Sequence, residues 1–109
     1  MKNTNQEQAF IDKFFVPAAA KDEFLQRMTY NRGFISKQDG FINDNVYFQA
    51  DENGNWTIIT VAIWRSAQDI ANAKEAVFAE YKRIAFNPVE FYERLHILME
   101  RGVYSPLED

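Results

Sequence analysis

The chain carries a single histidine, His96, and histidine is the side chain that titrates near neutral pH without help from its surroundings. Facing a cavity, His96 would serve as general base toward an acidic phenol; at the surface it would be one more solvated polar residue. Asn45 and Tyr47 stand two apart on a segment that reads as a strand, so they project from one face, with Gln49 next in the same row. Such a row can hydrogen-bond a substrate carbonyl, and it can equally be a solvated or subunit-rim edge. Arg65 follows Trp64 directly, and its guanidinium suits an enolate oxygen or a neighbouring carboxylate. With no cysteine, thiol nucleophiles, disulfides and cysteine-bound metals drop out, and one histidine cannot assemble a nitrogen-rich site, so no metal site is expected. Glycine is too sparse for a phosphate-binding or dinucleotide-binding loop. Any catalysis must therefore rest on pocket shape, desolvation and a few polar groups.

The composition around these residues is that of one domain with a high ring content. At 109 residues the chain can bury a single core, and 47% hydrophobic with 26% charged residues is ordinary for a globular protein. Aromatics make up 16%, ten of them Phe, which asks for an aromatic core or for an interface or pocket beyond it. A net charge of -4 without any Lys/Arg cluster argues against a nucleic-acid partner. No apolar run approaches the roughly 20 residues of a membrane helix. Residues 1–8 read as a polar arm without a signal-peptide core, and 9–109 as one domain; the expected compartment is the cytoplasm, with no membrane partner.

Strand and helix signals alternate. Phe10 to Val16 is aromatic and β-branched and stops at Pro17. From Ala18, Phe24, Leu25, Met28, Asn31 and Ile35 fall at helical spacing, Gly33 within them suggests close packing against a neighbour, and Asp39-Gly40 ends the helix. Phe41–Ala50 and Trp56–Trp64 flank Asp51-Glu52-Asn53-Gly54-Asn55, a hairpin connection in which Asn-Gly supplies positive φ. Ser66 with Asp69 three residues on marks a helix start, and Ile70, Ala73, Val77, Tyr81 and Ile84 form its stripe. Asn87-Pro88 opens a short third helix over about 89–95. Ile97–Arg101 reads as a fourth strand, with a helix continuing to Gly102 as the competing reading. The strand completes the order β-α-β-β-α-β of the split βαβ fold, with a four-stranded antiparallel sheet and an extra helix toward the C-terminus.

Trp56–Trp64 is apolar on both faces: Trp56, Ile58, Ala62 and Trp64 point one way, Ile59, Val61 and Ile63 the other. The first strand repeats this, with Phe10, Phe14 and Val16 opposed to Ile11 and Phe15. Helices cover one face of such a sheet. The other needs a second copy of the chain or a folded-back C-terminal segment, and a symmetric homodimer is the expected solution.

Val16-Pro17, Glu23-Phe24-Leu25, Gly40-Phe41 and Trp64-Arg65-Ser66, in that order and spacing, resemble the antibiotic biosynthesis monooxygenase domain over about residues 9–85. The resemblance implies a ferredoxin-like α+β fold and a homodimer whose two sheets form an α/β barrel. It also implies oxidation of a small aromatic or quinol-type substrate by dioxygen with no cofactor. Under it Trp64, Phe14 and Arg65 become substrate-binding residues, the rings as walls, and Asn45, Tyr47 and His96 orient or deprotonate the substrate. A related branch degrades haem through an Asn on the first strand, a Trp ending the third and a His in the second helix. Here only Trp64 has a counterpart, which speaks against haem. The alternative is a non-catalytic dimeric domain that holds a hydrophobic ligand.

Overall fold

The computed structural model describes residues 6–107; most of the expected N-terminal arm, residues 1–5, lies outside them. Four strands form one antiparallel sheet in the order β2-β3-β1-β4. They are β1 (Gln8–Val16), β2 (Phe41–Ala50), β3 (Trp56–Trp64) and β4 (Leu98–Tyr104). Three helices, α1 (Lys21–Ile35), α2 (Ala67–Arg83) and α3 (Pro88–Leu95), complete a ferredoxin-like α+β domain.

Local chemistry sets the boundaries. Pro17 lacks the N–H that would continue β1, and a short 3-10 turn over Ala18–Ala20 leads into α1. In the β2–β3 connection one carboxylate oxygen of Asp51 accepts from the backbone N–H groups of Asn53 and Asn55, both at 2.9 Å, and Gly54 takes φ 81°. Ser66 caps α2 by accepting from the Asp69 N–H at 3.2 Å, and Asn87 caps α3 by accepting from the Glu90 N–H at 3.1 Å. Pro88 follows as the first residue of α3.

Three details differ from the sequence expectation. Helix α1 ends at Ile35, because Lys37 and Gln38 bond back to the Phe34 and Ile35 carbonyls as a tight turn ahead of Gly40. The fourth strand begins at Leu98 and runs to Tyr104. His96 ends α3 in the left-handed conformation, φ 57°, and the Ile97 N–H still bonds the Tyr92 carbonyl at 2.9 Å, so Ile97 closes the helix and does not open the strand. Gly33 sits on an exposed face, where an added Cβ would meet nothing within 4 Å; it marks no close approach. Gly40 does. Its φ is +86°, and a Cβ there would fall 2.2 Å from the carboxyl carbon of Asp69.

One apolar core fills the space between sheet and helices, with Phe14, Val16, Ala20, Phe24, Ile58, Phe91 and Ile97 buried in it. Ring contacts run through it as a chain: Phe24 to Phe14 (4.9 Å), Phe14 to Tyr92 (6.1 Å), Tyr92 to Phe91 (5.6 Å), Phe91 to Phe86 (5.3 Å) and Phe86 to Tyr81 (5.0 Å). Much of the high phenylalanine content is used here, and the chain carries a tyrosine from α2 and one from α3 toward the sheet.

The face turned away from the helices is assembled by register into four rows. Gln49, Thr57, Phe15 and Leu98 form one; Tyr47, Ile59, Lys13 and Glu100 the next; Asn45, Val61, Ile11 and Gly102 the third; Asn43, Ile63, Ala9 and Tyr104 the last. The two middle strands supply a mostly apolar centre and β2 a polar margin. The C-terminal segment pairs along the edge of β1 as β4 and is not laid across this face.

Candidate active site between sheet and helices

Asp12 breaks the apolar helix-facing column of β1, between Phe10 and Phe14. The β1–β4 register sets Arg101 directly opposite it. The guanidinium donates twice, Nε to one carboxylate oxygen at 2.7 Å and Nη2 to the other at 3.0 Å, a side-on bidentate pair. Its two ends differ in exposure: 11% of the Asp12 side chain is accessible but 46% of Arg101. The cation is thus held through two of its nitrogens, and Nη1 is not used in this pair. Phe10 lies under it, with 4.9 Å from the guanidinium carbon to the ring centre.

Two phenols from the aromatic chain lie within electrostatic reach of this pair. Burial pushes Tyr92 up to about 12, reinforced by Tyr81, with Arg101 acting in the opposite sense. Burial also raises Tyr81, opposed by the cations Arg101 and Arg27. Both phenols hold their protons at neutral pH and are available as donors. Donating to the Asp12 carboxylate keeps the Arg101 guanidinium charged. A carboxylate–guanidinium pair buried at its acidic end and within electrostatic reach of two neutral phenols is the kind of constellation that marks a functional site.

Tyr81 also lines a crevice between α1 and α2, with Tyr30, Asn31, Phe34, Val77 and Glu80 among its walls. Across its mouth the Tyr30 hydroxyl donates to Glu80, whose other bonds come from Arg83 at 2.8 Å. These hold Glu80 down at about 2, Arg83 first and Tyr30 second.

The residues expected from sequence fall in three places. Trp64 (4% exposed) and Phe14 are buried on the helix-facing side. Trp64 packs edge-on to Phe41 at 5.4 Å, and its registered partner Gln8 lies six residues along β1 from Phe14, so the two rings are well separated along the sheet. Arg65, next to Trp64, is engaged in a bidentate pair with Asp69 at 2.8 Å. Asn45 and Tyr47 lie across the sheet, on the open face of the edge strand β2. His96 is exposed at the end of α3 and borders an open groove of about 520 Å³, with Phe15, Gln49, Trp56, Thr57 and Leu98. Asp12, Arg101, Tyr81 and Tyr92 escaped the sequence reading. The available signal was Asp12, a charge inside an inward column of a strand.

No protein-family model matches this chain, and no curated protein matches it at a significant level. Solved structures do. A "putative monooxygenase" from Shewanella loihica PV-4 superposes with TM-score 0.73 at 19% identity, covering 98% of this chain and 100% of its own. The chain shares their fold. SnoaB, a cofactor-independent oxygenase from Streptomyces nogalater, superposes with TM-score 0.64 at 18% identity over 95% of this chain and 96% of that one. A "putative antibiotic biosynthesis monooxygenase" from Nitrosomonas europaea gives 0.63 at 12% identity over 98% and 96%. The ferredoxin-like expectation, extra helix included, agrees with this group. Among the described residues no helix is long and apolar enough to cross a membrane.

Proposed function

We propose that this protein is a cofactor-independent monooxygenase that oxidises a small aromatic or quinol-type substrate with dioxygen between its sheet and helices. The observation that supports this most is the Asp12–Arg101 pair, anchored at one end and open at the other. In such a reaction an acidic C–H bond of the substrate loses its proton to solvent, the enolate passes electrons to dioxygen, and the resulting peroxide takes a proton back from solvent. A C–O bond forms, and loss of water leaves a new carbonyl; anthrone and dioxygen give anthraquinone and water. Negative charge builds on the substrate oxygen and then on the peroxide, where the Nη1 edge of Arg101 and the phenols of Tyr81 and Tyr92 can stabilise it without reorganising. Asp12 holds the guanidinium in place, and Phe14 and Trp64 serve as walls. Asn45, Tyr47 and His96 lie outside this constellation and take no part in the proposed step.

Self-association through the open face belongs to the same proposal. Ile11, Phe15, Ile59, Val61 and Ile63 form a contiguous apolar centre, which a second copy would cover by two-fold symmetry. Light scattering on a sizing column should give a homodimer; a monomer at micromolar concentration would remove this part.

Dioxygen uptake with anthrone is the test of the chemistry. Wild type should exceed buffer, and Arg101→Met should fall roughly 10²–10³-fold, the usual cost of one oxyanion-stabilising donor. Uptake no faster than buffer by wild type would overturn the assignment. The groove beside His96 favours a second reading, a non-catalytic dimeric domain holding a hydrophobic ligand. Quenching of Trp56 fluorescence by an apolar dye, with no dioxygen uptake for any quinol, would favour it.

A further inference from the structure

Among the described residues one buried side-chain polar atom has no hydrogen-bond partner: Oδ1 of Asn31, with less than 1 Å² of its surface open to solvent. Leaving a buried acceptor unmet forfeits its hydration with nothing in return, and native structures rarely tolerate it without a use. Asn31 lies on α1 and lines the crevice against α2. The crevice is too narrow to admit a water molecule, so solvent cannot supply the missing donor.

The same crevice lies where α1 is less deeply buried. Phe24 is the only fully buried residue of α1, and it lies in the first half of the helix. The second half is held by polar contacts: Tyr30 to Glu80 on α2, and Arg32 to Asp44 on β2 at 2.7 and 3.0 Å. Gly33, within that half, packs against nothing. Separating the ends of α1 and α2 breaks the exposed Tyr30–Glu80 hydrogen bond and parts Phe34 and Ile35 from Val77 and Tyr81, and it opens a path from Asn31 to Tyr81, the phenol within electrostatic reach of the Asp12–Arg101 pair.

We propose that Asn31 is a specificity-determining residue whose Oδ1 accepts a hydrogen bond from a ring hydroxyl of the substrate, which enters between α1 and α2. This rests on the monooxygenase assignment for the nature of the substrate. It adds that the preferred ring carries a hydroxyl in addition to the oxygen that meets Arg101. An acceptor left unpaired by the wrong ligand discriminates strongly, because the ligand lacking the donor must leave it buried and unmet.

Binding is measured under nitrogen, where no turnover occurs, with two probes: 2-hydroxyanthrone, whose hydroxyl cannot reach its own carbonyl, and anthrone. Wild type should bind the hydroxylated probe roughly tenfold more tightly, the worth of one hydrogen bond to a buried neutral acceptor. Asn31→Leu should bind both probes alike, with no loss of thermal stability, because it removes the orphaned acceptor. Asn31→Ala should do the same if Leu disturbs the helix pair. The inference is overturned if wild type shows no preference, if either variant keeps it, or if neither probe binds. Dioxygen uptake is read separately. A preference that depends on Asn31 in a protein showing no uptake would support the inference and sink the monooxygenase assignment.

Discussion

The two faces of the sheet are written in the same strands, one residue out of step, and they have opposite chemistry. The helix-facing side buries most of its apolar residues and admits Asp12, with Arg101 opposite, and Asp44 at the β2 margin, paired with Arg32 of α1. The open side has an apolar centre, a polar margin along β2 and, in one of its middle columns, Lys13 beside Glu100. A charge taken out of water is costly, and Arg101 in the next strand offsets that cost for Asp12 with two hydrogen bonds. An apolar centre without helices above it costs nothing only when something else covers it. The first face is finished within one chain, and the second asks for a partner.

Adjacent rings give the sharpest test of this difference. Phe14 is 6% exposed and central to the core, so Phe14→Ala should lower stability by about 3–5 kcal/mol in chemical denaturation at any protein concentration. Phe15 points to the open side. Phe15→Ala should cost little at nanomolar concentration and more as concentration rises, since its loss would be felt through the pairing. Equal and concentration-independent costs would break the comparison.

Val61 lies in the middle of the open face. Val61→Lys sets like charges against each other across a two-fold interface, worth several kcal/mol, so it should yield a folded monomer on a sizing column with unchanged far-UV circular dichroism. A persistent dimer would place the interface elsewhere. On the other face, Asp12→Asn keeps the shape of the side chain but releases the guanidinium. Dioxygen uptake should drop by about 10²-fold, as for a misplaced catalytic group, with dimerisation unaffected.

The smallest expected effect is one of pH. Glu80 is held at about 2 from an ordinary 4.5 by Arg83 and Tyr30. The folded state therefore binds this proton more weakly than the unfolded one. The stabilisation is fully present above about pH 4.5 and fades as pH falls toward about 2. The gap in denaturation midpoint between wild type and Glu80→Gln should narrow over that window, and a constant gap would deny the clasp its charge. Pairing through the open face should not follow the same profile.

The legibility of these features followed the range of the interactions. β2 and β3 could be bounded from sequence because the Asp51–Asn55 turn is closed by its own side chains and backbone. The caps at Ser66 and Asn87 were legible for the same reason. β4 was harder, since Leu98–Tyr104 owes its conformation to the edge of β1 and not to its own pattern. The central pair was hidden because Asp12 and Arg101 lie 89 positions apart and meet only through register. Tyr81 could be placed on the stripe of α2, but its proximity to Arg101 depends on how α2 lies over the sheet.

Gly40 and Gly33 imply unequal freedom to vary. Any side chain at position 40 must take a left-handed backbone and displace Asp69, which Arg65 and Ser66 hold from other directions. In a library of all single replacements selected for folding, position 40 should survive almost solely as glycine. Position 33 should accept many residues and favour alanine, which gains about 1 kcal/mol over glycine inside a helix. Two glycines seven residues apart would then be the least and among the most replaceable residues of the chain.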